Sequence, residues 1–115
     1  MESCNFVIKG RKFTTDTLNV GRFIDLHRMR SVLSGGTYGQ MYRNALISSD
    51  EALMMIDIDS FMSVFCPDFI TSLKPGTLRD LGLEDYLEIK EVYVTEILPW
   101  LEKVEGILKK KNDKV

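Results

Sequence analysis

Between Leu53 and Phe65, nine of thirteen residues are apolar: Leu53, Met54, Met55, Ile56, Ile58, Phe61, Met62, Val64 and Phe65. The length of the run and the capping pattern ahead of it predict a helix. Ser48-Ser49-Asp50-Glu51 reads as a capping box, with Ser48 accepting from an early amide and Glu51 reaching back. A helix with almost no polar face must be covered on several sides, by the rest of its own chain or by another protein. The sequence leaves both coverings open, and the choice between them decides where a binding surface lies.

The chain has 115 residues, enough to close one core and too few for two. Hydrophobic residues make up 44% and charged residues 28%, which excludes wholesale disorder. No apolar run approaches the ~20 residues that cross a bilayer. The start Met1-Glu2-Ser3-Cys4 has no basic segment leading into an apolar one, so it does not read as a secretory signal. Cys4 and Cys66 stand far apart and form no Cys-x-x-Cys pair, which suits two reduced thiols and a cytoplasmic setting.

Ahead of the apolar helix, Asn5-Phe6-Val7-Ile8-Lys9 and Lys12-Phe13-Thr14-Thr15 flank Gly10-Arg11, which predicts a β-hairpin over 5–15. Such a hairpin is marginal alone and must pack on helices. Asn19 is placed to cap a helix from Val20 to Leu33, stopped by Gly35-Gly36, with Val20, Phe23, Ile24 and His27 as its inward stripe. A short helix is expected over Gln40 to Ile47. Pro67 suits a first helical position, Lys74-Pro75-Gly76 a turn, Thr77 a cap, and Gly82 a boundary before the last helix. In that helix Ile89, Tyr93, Ile97, Trp100, Val104 and Leu108 form one stripe, and Pro99 should kink or divide it near Leu98. The predicted fold is α+β and mainly helical: an N-terminal hairpin on a bundle of about four or five helices, one globular domain over 1–108, and a flexible basic tail over 109–115.

The chemical motifs are few. His27 is the sole histidine, which rules out a multi-histidine metal site and places the ring at the edge of a core. Asp57 and Asp59, two apart on a helix, point about 200° from one another and cannot share a proton or a metal. Phe61 and Met62 stand where a calcium loop needs its glycine turn. Gly35-Gly36-Thr37-Tyr38-Gly39 lacks the Lys-Ser/Thr of a phosphate loop. A nucleophilic pairing of Cys66 with His27 has no local motif behind it. The residues therefore imply no catalytic group, no cofactor and no metal.

Charge is unevenly placed although the net is −2. Residues 1 to 43 hold seven Lys/Arg against three acids, residues 44 to 102 three against twelve, and residues 103 to 115 five against two. Blocks of alternating sign can orient neighbouring subunits, and a homo-oligomer of unspecified order is expected. The terminal lysines lack interleaved aromatic residues, so nucleic acid is not the expected partner.

What remains is adaptable apolar surface. Met54, Met55 and Met62 lie in the apolar helix and Met41 just upstream. Methionine packs against varied shapes, whether inside a core or on a partner. The expected partner-binding positions are Met54, Met55, Ile58, Phe61 and Met62, with Tyr93, Ile97 and Trp100 as a second stripe that is either core or interface.

The order Phe6-Val7-Ile8-Lys9-Gly10-Arg11-Lys12-Phe13-Thr14, then Leu18-Asn19-Val20-Gly21-Arg22-Phe23-Ile24-Asp25-Leu26, then a helical remainder, resembles small tail assembly chaperones of tailed bacteriophages. The resemblance covers mainly residues 5–39; Leu78 to Tyr86 also has the character of such proteins. It implies a non-enzymatic protein of the host cytoplasm that masks apolar helices of a tape measure protein during tail assembly. It transfers no catalytic residues, and this chain shows no frameshifted extension. The alternative is a structural subunit of the head-tail junction or tail, retained in the virion as part of a ring.

Overall fold

The computed structural model describes residues 3–45 and 51–113. The capping serines 48 and 49, and the end of the helix expected over Gln40 to Ile47, lie outside the described residues. The elements run β1 (Asn5–Ile8), β2 (Arg11–Thr14), α1 (Val20–Leu33), α2 (Tyr38–Ala45), α3 (Glu51–Phe65), α4 (Pro67–Leu73), a 3-10 turn (Leu78–Asp80), α5 (Leu83–Val92), a π-helical turn (Tyr93–Ile97) and α6 (Leu98–Asp113). The α+β, mainly helical architecture is as the sequence predicts. The backbone of the basic segment continues α6 as far as Asp113.

β1 and β2 pair antiparallel with Ile8 opposite Arg11, so Lys9 and Gly10 alone make the turn. Both have positive φ, 51° and 75°. A two-residue hairpin turn of this hand matches strand twist and favours glycine at its second position. Alternation then sends Phe6, Ile8 and Phe13 inward and Asn5, Val7 and Lys12 outward. The Phe6 and Phe13 rings stack at 5.7 Å, and Phe13 meets Phe69 of α4 edge-on at 5.4 Å. Asp16 N–H donates to the Phe65 carbonyl at 2.8 Å, tying the exit of the hairpin to the end of α3.

Asn19 caps α1 as expected, its side chain accepting from Arg22 N–H at 2.8 Å. At the other end, Gly36 N–H donates to the Ser31 carbonyl at 2.8 Å and Gly35 N–H to Val32 at 3.2 Å, the paired bonds of a Schellman stop. The face that α1 turns inward is a correction. Leu26 and Arg30 are buried with Phe23 and Met29 beside them, whereas Val20, Ile24 and His27 are exposed. α1 carries apolar residues on two sides, and the side that fits α3 is the one centred on Leu26.

α3 is the core. Ile58, Phe61, Met62 and Phe65 have no solvent exposure, and Phe61 and Phe65 stack at 5.0 Å. α1 lies along one side, and the π turn closes another through Tyr93, whose ring meets Phe61 edge-on at 6.0 Å. The greasy helix is thus covered by its own chain through most of its length.

Pro99 is accommodated by the π turn. It has no N–H to give the Thr95 carbonyl, and its ring would crowd that carbonyl in an α-helix. The widened turn, in which Leu98 N–H donates to Tyr93 five residues back, accommodates it without breaking the helix. The extra residue also has a packing consequence. Ile89, Tyr93, Ile97 and Leu101 recur every four residues, a spacing that drifts around a regular helix of 3.6 per turn but stays on one face here. Leu101 is therefore buried where the sequence stripe expected Trp100, which is half-buried.

Candidate functional site

The partner-binding positions read from the sequence divide into two sets. Ile58, Phe61, Met62, Tyr93 and Ile97 are buried in the core of this chain. They are packed in the core rather than displayed, because α1 and the π turn, which supplies Tyr93 and Ile97, cover the sides of α3 that carry Ile58, Phe61 and Met62. Met54, Met55 and Trp100 are half-buried at the border of that core. Trp100 stands edge-on to Phe61 at 6.2 Å and to Phe65 at 6.1 Å, a packing role at the rim.

Met55 opens onto a crevice of about 200 Å³ lined by Leu33, Ala52, Met55, Ile56, Asp59 and Arg79. The end of α1 and the first half of α3 form its walls, and the 3-10 turn supplies Arg79. That turn is fixed locally: the Asp80 carboxylate accepts from Thr77 N–H at 2.7 Å and from the Thr77 hydroxyl at 3.1 Å. Leu33, in its wall, is itself exposed to solvent. Its lining joins four apolar residues to one charge of each sign, the composition of a groove for an amphipathic segment.

A second, polar cleft of about 460 Å³ lies between α1, α2 and α6, lined by His27, Arg30, Tyr38, Tyr42, Asp57, Tyr93, Glu102 and Glu105, among others. Tyr38 Oη donates to Asp57 Oδ1 at 2.6 Å. Arg30 Nε is 3.4 Å from the same oxygen, beyond good hydrogen-bond geometry, and the guanidinium lies 5.2 Å from the centre of the Tyr38 ring. Desolvation is the main influence on these groups. It raises the Asp57 carboxyl, against the opposing pull of the Tyr38 bond and Arg30, and it raises the phenols of Tyr38 and Tyr93. Burial, with Arg30 next, lowers the His27 imidazole. A tyrosine held protonated and an arginine held by an aspartate form a structural tie between helices. Sequence reasoning missed Arg30 because a charged residue on an amphipathic helix ordinarily faces water.

The thiols are placed elsewhere. Cys66 Sγ is 3.8 Å from the Thr14 carbonyl and Cys4 Sγ 3.5 Å from the Glu96 carbonyl, and burial raises both thiols above their ordinary range. His27 instead stacks edge-on with Phe23 at 4.7 Å. No hydrogen bond among the described residues joins Cys66 to His27. Asp57 and Asp59 diverge as expected, Asp59 accepting from Ser63 on its own helix at 3.3 Å. Among the described residues no group of three or more His, Cys, Asp or Glu is gathered in metal-binding fashion, and no helix is long and apolar enough to cross a membrane.

Two further apolar stripes point to solvent. On α5 and the π turn they are Leu83, 80% exposed, Leu87, 56%, and Val94, 40%. On α1 they are Val20, 74%, and Ile24, 46%. The α5 stripe was legible as spacings of four and seven but was overshadowed by the stronger inward stripe on the same helix. Compared with known proteins, the chain matches no family model, no curated sequence and no solved structure.

Proposed function

We propose that this protein is a non-enzymatic binding protein that masks apolar helical segments of a partner, in the manner of the phage tail assembly chaperones it resembles. The observation that supports this reading is the crevice beside Met55: apolar side chains of Leu33, Met55 and Ile56 line an open groove on a molecule whose own core is already closed. Exposed apolar surface that a folded domain does not need for itself marks an interaction site. Met55 gives the groove a conformable wall, and Asp59 and Arg79 in its lining can orient an incoming helix through its flanking charges.

A client such as a tape measure protein is rich in apolar helix and aggregates while it waits for the tail tube. A partner that binds it weakly and repeatedly keeps it soluble and still releases it when the tube offers more contact. Release requires modest affinity per copy, and a shallow groove of this size meets that requirement.

Co-expression with candidate tail proteins, followed by photo-crosslinking from a residue placed at position 55, tests the reading. Capture of an apolar helical segment of a tail protein supports it. Exclusive crosslinking within the chain, with the tail protein equally soluble alone, overturns it. Recovery of the protein in purified particles would favour the structural subunit of the virion instead.

A further inference from the structure

We propose that copies of this protein associate head to tail, the outward stripe of α1 on one copy seating on the outward stripe of α5 on the next. The inference stands apart from the client groove, which lies on neither stripe. Val20 and Ile24 stand one turn apart on α1, with Arg28 one turn further along the same side. Leu83, Leu87 and Val94 form a matching row on α5 and the π turn, with Glu84 and Glu91 beside it, seven residues apart. Arg28 borders the α1 row, and Glu84 and Glu91 border the α5 row, whose other edge carries Lys90, already paired with Glu51 within the chain.

The charge contrast extends over the whole elements. α1 carries three arginines against one aspartate; the segment from Leu83 to Ile97 carries five acids against one lysine. The ion pairs formed within the chain use Lys9, Arg22, Arg30 and Lys90. Arg28, Glu84 and Glu91 have no salt-bridge partner among the described residues. Charges of opposite sign that are free to pair thus border the two uncovered stripes. Apolar area supplies the attraction, and the pairing of Arg28 with Glu84 or Glu91 sets which face meets which.

The two stripes occupy different flanks. α1 packs on α3, whereas α5 packs on β1 and the π turn. A contact between unlike faces of identical subunits is heterologous: each copy keeps one face free, so the assembly continues as a ring or an open filament. One helix-on-helix contact is at the small end of specific interfaces, so the association is weak and depends on concentration.

Sedimentation of the full-length protein over a range of concentrations, with Ile24→Glu and Leu87→Glu chains measured singly and mixed, tests this. Both side chains are exposed, so each variant should keep the helical circular dichroism and unfolding midpoint of the parent. The parent should gain mass as concentration rises, and each variant alone should remain a monomer, having lost one face. The mixture should form a one-to-one dimer and stop there, because only the intact α1 of one variant and the intact α5 of the other can meet. Arg28→Glu should weaken association of the parent several-fold at low salt. A parent that stays monomeric throughout, a variant that associates as the parent does, or a mixture that stays monomeric overturns the proposal. The second outcome would indicate like-with-like pairing of a single face.

Discussion

Tyr38 Oη donates to Asp57 Oδ1 at 2.6 Å, a bond that joins α2 to the central helix. Arg30 approaches the same carboxylate oxygen from α1. One carboxylate thus joins three helices, and its geometry is open to direct test.

Removing the phenolic hydroxyl with Tyr38→Phe should cost about 2 kcal/mol, the ordinary worth of a hydrogen bond to a charged group. The loss should be local. Amide exchange over residues 38–45 should accelerate while that of α3 changes little; uniform acceleration across both helices would show that α2 does not open separately.

Arg30→Met should destabilise by about 3 kcal/mol at neutral pH, because a desolvated carboxylate loses its cation. The sign of the pH dependence follows from Asp57. Its folded pKa lies above the unfolded value, so the ionised form disfavours folding at neutral pH and that penalty disappears as pH falls through the folded pKa. Without Arg30 that pKa climbs further. The deficit of the variant should therefore shrink on acidification, and denaturant titrations at several pH values would reveal a constant deficit if Asp57 were not responsible.

Pro99→Ala restores an amide that could bond to Thr95, yet the π turn should persist. Ile97 and Leu101 are both buried, and a regular α-helix would rotate Leu101 by about 100° relative to Ile89 and Tyr93. Backbone chemical shifts or a crystal structure of the variant should retain the bond from Leu98 N–H to Tyr93. A shift to regular bonding would mean that proline, rather than the core, imposes the turn.

Two neighbours in α3 should respond in opposite directions. Phe61→Ala should cost about 4 kcal/mol, since the ring is fully buried among Phe65, Tyr93 and Trp100. Ser60→Ala should stabilise by about 1 kcal/mol, because its hydroxyl is buried with no hydrogen-bond partner among the described residues. Unfolding midpoints measure both, and a destabilised Ser60→Ala would indicate an unseen partner for the hydroxyl.

The thiols of Cys4 and Cys66 should react slowly with a disulfide reagent at neutral pH. Both are buried, and their raised pKa values lower the thiolate fraction. Denaturant should accelerate both reactions to a common rate; a native rate already at that level would contradict the burial.

Much of the fold was legible because its signals are local. Gly10, Asn19, Gly35-Gly36 and Pro67 each fix a turn or a helix end through their own φ or a hydrogen bond a few residues away, although the hairpin turn falls at Lys9-Gly10, one residue earlier than the Gly10-Arg11 expected, because Arg11 pairs with Ile8. Pro99 announced a disturbed helix, though not that the disturbance would be a widened turn. The candidate site was less legible. Phe61, Met62 and Tyr93 read equally well as core or as docking residues, since hydrophobicity does not identify what a side chain is buried against.

The sequence by itself determined where the chain turns, which segments are helical, and that the helix over 51–65 needs cover on more than one side. Only the tertiary structure decided what that cover is. It turned Leu26 and Arg30 of α1 inward and left Val20 and Ile24 outside, although both sides of that helix are apolar enough to be buried. The physical reason is that burying Arg30 is tolerable only once Asp57 and Tyr38 arrive from two other helices, and no local pattern along α1 can register partners that folding alone brings near.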